Sequence, residues 1–266
     1  MFILNLILLL IIFINYTFCI FFSKLLIILG INTDIIIYFN SFMVDFNIYF
    51  MTKFSIFKTI NLKNLDFKGK RIIINCNHLN EVDDLLILVI LKKIIPNFTF
   101  KNVKSVSSVT TKMEEEIFDE IGSIVINKKI AIKKLEQKID NLMSYDNLQL
   151  ILFLEGESNL KYNQIMNEKT GIILKNLNYP KTSIFNLLCS KKYFDYLVDV
   201  NVVYHNNKKI LGKKDFFYFL DSSSRAKLEV KIYDLPDSDY ENWALKLFQK
   251  KDIELETIKK NINNIK

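Results

Sequence analysis

The sequence predicts an α/β domain with a mostly parallel sheet flanked by helices, preceded by one or two membrane helices. Three observations carry that expectation. From Arg71 onward, short β-rich apolar runs alternate with helical patterns, the signature of strands joined by helical crossovers. Phe2 to Phe22 runs without a single charge, about the ~20 residues that a helix needs to cross a hydrocarbon core. Apolar residues make up 50% of the 266, against 24% charged and only 3 Pro and 6 Gly, so the chain must bury a core and is neither disordered nor linker-rich.

Taken in order, the first element is the apolar run Phe2 to Phe22. A cleavable signal would have a basic start, a shorter apolar stretch and small residues before the cut. Here the first charge is Lys24 and Cys19 to Phe22 is bulky, which favours a retained anchor. Leu25 to Phe50 is apolar but interrupted by Gly30, Asn32, Asp34 and Asp45, and reads as a second pass, a re-entrant pair or a helix lying in the interface. Residues 1–52 are thus expected to form the membrane region and 53–266 a domain facing the cytosol. Lys53, Lys58, Lys63, Lys68, Lys70 and Arg71 follow the apolar region, and basic residues beside a membrane segment stay on the cytosolic side.

Within the domain, Arg71 to Cys76 (RIIINC) reads as a buried strand, and Val82 to Ile95 as an apolar helix closed by Pro96. Phe98 to Val109 and Ser123 to Asn127 read as strands. Between Lys129 and Met143, residues Ile132, Leu135, Ile139 and Leu142 share one helical face. Leu148 to Leu154 and Leu197 to Tyr204 are buried strands, with two more at Phe216 to Leu220 and Lys227 to Tyr233. Asp237 to Ile265 is a long charged helix.

Charge and cysteine usage narrow the function. The formal charge is +7, yet only Arg71 and Arg225 are arginine, and 34 lysines are spread among many Ile and Asn in a way that looks like codon bias. Nucleic acid binding would need a focused basic patch with arginine and stacking aromatics. A positive domain beside an anionic membrane face fits better. Cys19, Cys76 and Cys189 are odd in number and far apart, which points to a reducing compartment, and two histidines are too few for a Cys/His zinc cluster.

Three segments carry chemistry, each at the end of a predicted strand, where α/β folds place ligands. In Asn77-His78-Leu79-Asn80-Glu81-Val82-Asp83, the aspartate five residues after the histidine across a strand-to-helix turn can accept an imidazole N–H. That fixes the tautomer and raises the basicity of the other nitrogen. A surface histidine at a helix N-terminus, with Asp83 as a first-turn acid, has the same spacing. In Phe153-Leu154-Glu155-Gly156-Glu157-Ser158-Asn159, Gly156 permits close backbone approach and the flanking N–H groups can cradle an oxyanion, unless the segment is an ordinary polar turn. Leu160 stands where a serine-hydrolase elbow would have its second glycine. The third, Gly122-Ser123-Ile124-Val125-Ile126-Asn127-Lys128, is a short strand ending in a basic residue, either a phosphate partner or a solvated lysine. His205 reads as a turn histidine without a role.

In order, these segments resemble the lysophospholipid acyltransferase family, glycerolipid branch. Asn77-His78 with Asp83 matches its Asn-His-x4-Asp block, and Glu81-Val82-Asp83 resembles its eukaryotic membrane members. Gly122 to Lys128 is similar to the Gly-x-x-Phe-Ile-x-Arg block, with Val125 for Phe and Lys128 for Arg. Phe153 to Ser158 is similar to Phe-Pro-Glu-Gly-Thr-Arg, departing at Leu154, Glu157 and Ser158. Tyr179 to Thr182 resembles a Pro-Arg-Thr segment, and Trp243, Phe248 and Lys251-Asp252 a late helix.

The resemblance implies a membrane-bound enzyme, in an endoplasmic reticulum-type membrane, that moves a fatty acyl group from acyl-CoA to the free hydroxyl of a lysophospholipid. His78 would be the general base and Asp83 its charge-balancing partner, with Lys128, Glu155, Gly156, Glu157 and Ser158 shaping the acceptor pocket. Acyl-CoA is then a co-substrate, the bilayer and the lysophospholipid are the partners, and neither cofactor, metal nor nucleic acid is required. Ser158 beside Glu157 removes an arginine and adds a like charge. Lysophosphatidylinositol or a lysocardiolipin-type acceptor therefore rivals lysophosphatidic acid. A relative that kept the fold and lost the chemistry, binding or shaping membranes, is the alternative.

Overall fold

A computed structural model describes residues 2–51, 67, 69–78, 83–95, 98, 102–107, 123–125, 132–156, 160–206, 209–212 and 223–264. Two antiparallel helices, α1 (Phe2–Ile28) and α2 (Thr33–Met51), form the N-terminal hairpin. The domain then runs β1 (Ile72–Cys76), α3 (Asp83–Ile94), β2 (Val103–Ser107), β3 (Ile124–Val125), α4 (Ile132–Leu142) and β4 (Gln149–Leu152). It continues with α5 (Leu160–Thr170), α6 (Ser183–Ser190), β5 (Tyr196–His205), β6 (Arg225–Asp234) and α7 (Tyr240–Asn264). The strands form one sheet in the order β3-β2-β4-β1-β5-β6, parallel throughout except for the antiparallel edge strand β6.

Alternation along the strands divides the core in two. Ile72, Ile74 and Cys76 of β1, with Val198, Val200, Val202 and Tyr204 of β5, face α3 and the hairpin. Ile73, Leu150, Leu152, Leu197 and Val203 face α4, α6 and α7. Helix α3 lies between sheet and hairpin, which is why its run from Leu86 to Leu91 is apolar and buried on every side. Leu8, Ile12 and Ile48 of the hairpin join the same cluster, and Lys92 of α3 pairs with Asp45 of α2 at 2.8 Å. The hairpin is thus packed onto the domain that follows it.

Of the interrupted stretch after Lys24, Leu25 to Ile28 complete α1, and the part from Thr33 onward folds as α2, antiparallel to it. Asn47 and Asn40 meet α1, where Asn15 Nδ2 donates to Asn47 Oδ1 at 2.7 Å and Cys19 Sγ and Ser23 Oγ donate to Asn40 Oδ1, whereas Asp34 is exposed and Asp45 pairs with Lys92. Of the expected strand from Phe98 to Val109, Val103–Ser107 form β2, Phe98 is irregular and residue 102 is in a 3-10 turn, while residues 99–101, 108 and 109 lie outside the described residues. That expected at Phe216 to Leu220 lies outside the described residues, as do residues 126–131 after β3. Helices α5 and α6 carried no sequence signal, the first because polar residues nearly surround it and the second because it spans only two turns.

One buried ion pair ties the sheet to α7. Lys251 Nζ donates to Asp199 Oδ1 at 2.7 Å and to the Val200 carbonyl at 2.8 Å, with both side chains almost wholly buried. Asp199 also accepts from Asn75 Nδ2 at 2.6 Å, and Asn75 Oδ1 accepts from the Leu154 N–H at 3.1 Å. Removing one partner of such a pair strands a buried charge, so Lys251→Met is expected to cost about 3–5 kcal/mol. Thermal unfolding in detergent measures it, with Lys246→Met on the same helix as the comparison.

Candidate active site

The chain reverses direction across the sheet between β4 and β1. β1 leads by α3 toward β2 on one side, whereas β4 leads by α5 and α6 to β5 on the other. The crevice beyond the carboxyl ends of two such strands is where open α/β sheets bind ligands. His78 follows β1 and Glu155 follows β4, and the two segments are joined there: the His78 N–H donates to Glu155 Oε1 at 3.2 Å.

His78 and Asp83 come together as the spacing predicts. His78 Nδ1 lies 3.4 Å from Asp83 Oδ2, with Asp83 fully buried and the His78 side chain 29% exposed. That separation is long for a charge-assisted hydrogen bond and within the range such contacts show before substrate is bound. The arrangement directs Nδ1 inward and leaves Nε2 as the ring's second nitrogen for chemistry. Phe153 walls the imidazole, with ring centroids 4.6 Å apart and planes tilted by 46°. Asp83 Oδ1 accepts a hydrogen bond from the Tyr204 hydroxyl at 2.7 Å, a contact between residues 121 positions apart that no local motif announces.

The backbone under the histidine is fastened by Asn77. Its Nδ2 donates to the Val202 carbonyl at 2.9 Å and its Oδ1 accepts from the Val202 N–H at 2.7 Å, so the side chain continues the β1–β5 ladder one step past Cys76. Cys76 itself, two residues before His78, is buried, and desolvation first, then the Asp83 charge, pushes its thiol well above the usual range. A thiol so held is not a nucleophile at neutral pH.

Glu155 supports the site from the other strand. Its Oε1 takes the His78 N–H, and its Oε2 accepts from both the N–H and the Nδ2 of Asn178 at 3.2 Å. Burial raises its pKa above the ordinary 4.5, an effect offset in part by the Asn178 backbone N–H and then by Lys251 and the His78 N–H. The loop bearing Asn178 is anchored in turn by Asp252, which accepts from the N–H groups of Lys175 at 3.0 Å and Asn176 at 2.6 Å. Gly156 has φ +55°, and a Cβ there would stand 2.8 Å from Cδ of Lys181, whose own N–H donates to the Leu154 carbonyl at 2.7 Å. Glycine is favoured by that backbone conformation, and the lysine side chain lying across it would have to move for any larger residue.

Lys128, Glu157 and Ser158 lie outside the described residues, so the structure groups His78, Asp83, Glu155 and Gly156 and leaves the rest of the expected pocket unplaced. Tyr204 and Asn178 carried no sequence signal, whereas Lys181 lies in the segment from Tyr179 to Thr182 that the sequence singles out. His205 is the last residue of β5, bridged to Ile210, and not in a turn. No group of three metal-ligating side chains occurs among the described residues.

The geometry is that of an α/β domain with a histidine and a buried aspartate paired at its switch point. A family model for acyltransferases matches residues 54–185, which takes in all four segments from Asn77 to Thr182. The chain belongs to the acyltransferase family. No curated protein matches it.

The arrangement around Glu155 gives a test of its role. In Glu155→Gln the amide NH2 would face either the His78 N–H or the Asn178 N–H, donor against donor, and the histidine backbone would shift. A displacement of about 1 Å costs on the order of 10² in rate, so activity should fall about 10- to 100-fold. Because the raised pKa means the fold favours protonated Glu155, the wild type's contribution is fully present below pH 4.5 and is lost as pH rises through the raised value. Glu155→Gln should therefore flatten the acid end of the profile of melting temperature against pH.

Proposed function

We propose that the protein is a membrane-bound O-acyltransferase that moves a fatty acyl group from acyl-CoA to the free hydroxyl of a lysophospholipid. The observation that carries this is the His78–Asp83 contact at a crevice backed by Phe153, within a chain of the acyltransferase family. His78 Nε2 takes the proton of the acceptor hydroxyl as its oxygen attacks the thioester carbonyl. Asp83 offsets the charge of the imidazolium that forms. The tetrahedral intermediate collapses, the C–S bond breaks, and the imidazolium returns the proton to the leaving thiolate. No acyl-enzyme is needed, in keeping with a buried, protonated Cys76 beside the base. The acceptor pocket is proposed to include Gly156 together with Glu157, Ser158 and Lys128, which lie outside the described residues, with Lys128 offering charge to the phosphate.

The membrane reading rests on α1 and α2. Among the described residues one helix, Asn5–Ile28, is long and apolar enough to cross a bilayer. Large exposed apolar side chains cluster on the hairpin, including Phe13, Phe21, Tyr38 and Phe42. Polar residues hydrogen-bonded between the two helices suit a hairpin within lipid, where small and polar residues join helices. Leu8 and Ile12 sit in the core cluster under α3, so cleavage after α1 would open the domain, which favours a retained anchor over a signal. The lysines from Lys53 onward support a cytosolic face for the domain, and an endoplasmic reticulum-type membrane is part of the same proposal.

Membranes containing the protein, given labelled acyl-CoA and a panel of lysophospholipids, should form diacyl product. His78→Ala should lower the rate by about 10²- to 10⁴-fold with insertion unchanged, and Asp83→Asn should lower it through the same imidazole. A full rate in His78→Ala would remove the assignment, and an inactive wild type would leave the non-catalytic relative as the better reading. The protein should remain with membranes through high salt and alkaline carbonate. Release by salt alone would overturn the integral anchor.

A further inference from the structure

Tyr204 lies beyond the residues that the family model matches, and none of the sequence motifs includes it. Its ring is buried in the cluster beneath α3, and its hydroxyl donates to Asp83 Oδ1 at 2.7 Å, on the carboxylate whose other oxygen faces His78 Nδ1. An aspartate carboxylate turns easily about its last bond, because that torsion is broad and roughly two-fold. Anchoring one oxygen sets the place of the other. The tyrosine is itself well placed to act as the anchor, since Asn77 locks Val202 of β5 to the segment carrying His78 through two hydrogen bonds.

We infer that Tyr204 is a positioning residue of the dyad: its hydroxyl holds the Asp83 carboxylate against His78, so that a third strand sets the orientation of the base. The inference rests on His78 being that base. A phenylalanine at 204 would fill nearly the same volume, so the hydroxyl alone is at stake.

Purified full-length protein carrying His205→Asn, which leaves His78 as the one histidine, provides two readouts. One is acyl transfer, resolved into kcat and KM. The other is the rate at which diethyl pyrocarbonate modifies His78, which needs no lipid substrate and is open to the reagent because the side chain is 29% exposed. Tyr204→Phe should lower kcat about tenfold, as loss of a hydrogen bond to a charged group does, with KM for both substrates nearly unchanged. It should also slow His78 modification several-fold. In an Asp83→Asn background the same change should move either readout by less than about twofold, because residues acting through one group are not additive.

Full kcat and full modification rate in Tyr204→Phe would overturn the inference, as would an equal loss in the Asp83→Asn background. Should Tyr204→Phe not fold, 3-fluorotyrosine at 204 keeps the shape and makes the hydroxyl a stronger acid. A changed modification rate there supports the role, and an unchanged rate overturns it. If no lysophospholipid is acylated by the wild type, the proposed function fails while the modification rate still decides the position of Tyr204.

Discussion

The structure depends on one buried charge. Lys251 reaches from α7 through the apolar layer to Asp199 in the middle of β5, and the same carboxylate holds Asn75 of β1. An ammonium and a carboxylate taken out of water are tolerable only when every remaining donor and acceptor is matched. Here the Val200 carbonyl takes a second bond from the ammonium and the Asn75 amide donates to the carboxylate, and Asn75 passes the constraint to the Leu154 N–H, just before Glu155. β1, β4, β5 and α7 are thereby held in one relation, and the crevice above β1 and β4 inherits it.

The next residue of α7 works outward from the same point. Asp252 binds the backbone at Lys175 and Asn176, and Asn178 two residues later binds Glu155, which binds the His78 N–H. Adjacent positions on a helix point in different directions, so Lys251 and Asp252 can serve the sheet and the loop at once. The site is therefore preorganised by residues that do not touch the reacting atoms. Such support decides whether a base stands within the few tenths of an ångström that proton transfer demands.

The hairpin adds a constraint of another kind. Because α1 and α2 share a core cluster with α3, whose first residue is Asp83, the apolar hairpin is packed on the helix that carries half of the dyad. Under the proposed function, this packing would hold the crevice beside the bilayer that supplies the lysophospholipid. In this reading the apolar exposure of the hairpin and the position of the dyad belong to one design.

Much was legible in the linear chain because it rests on local periodicity and spacing. β-rich runs at Arg71 to Cys76, Leu148 to Leu154 and Leu197 to Tyr204 are strands, the apolar stretch after Asp83 is a helix, and His78 and Asp83, five residues apart between strand and helix, meet. The amphipathic helix from Ile132 and the charged one from Tyr240 were visible for the same reason. What the chain could not display is everything set by partners far apart in sequence. Tyr204 lies 121 residues from Asp83, Asn178 lies 23 from Glu155, and Lys251 lies 52 from Asp199. A lysine among 34, or a tyrosine among twelve, carries no mark of its role until the sheet order places β5 beside β1. Strand alternation and turn chemistry are properties of a few neighbouring residues and so are written in the sequence. The direction in which a buried carboxylate points is settled only when the tertiary fold brings a donor to its second oxygen.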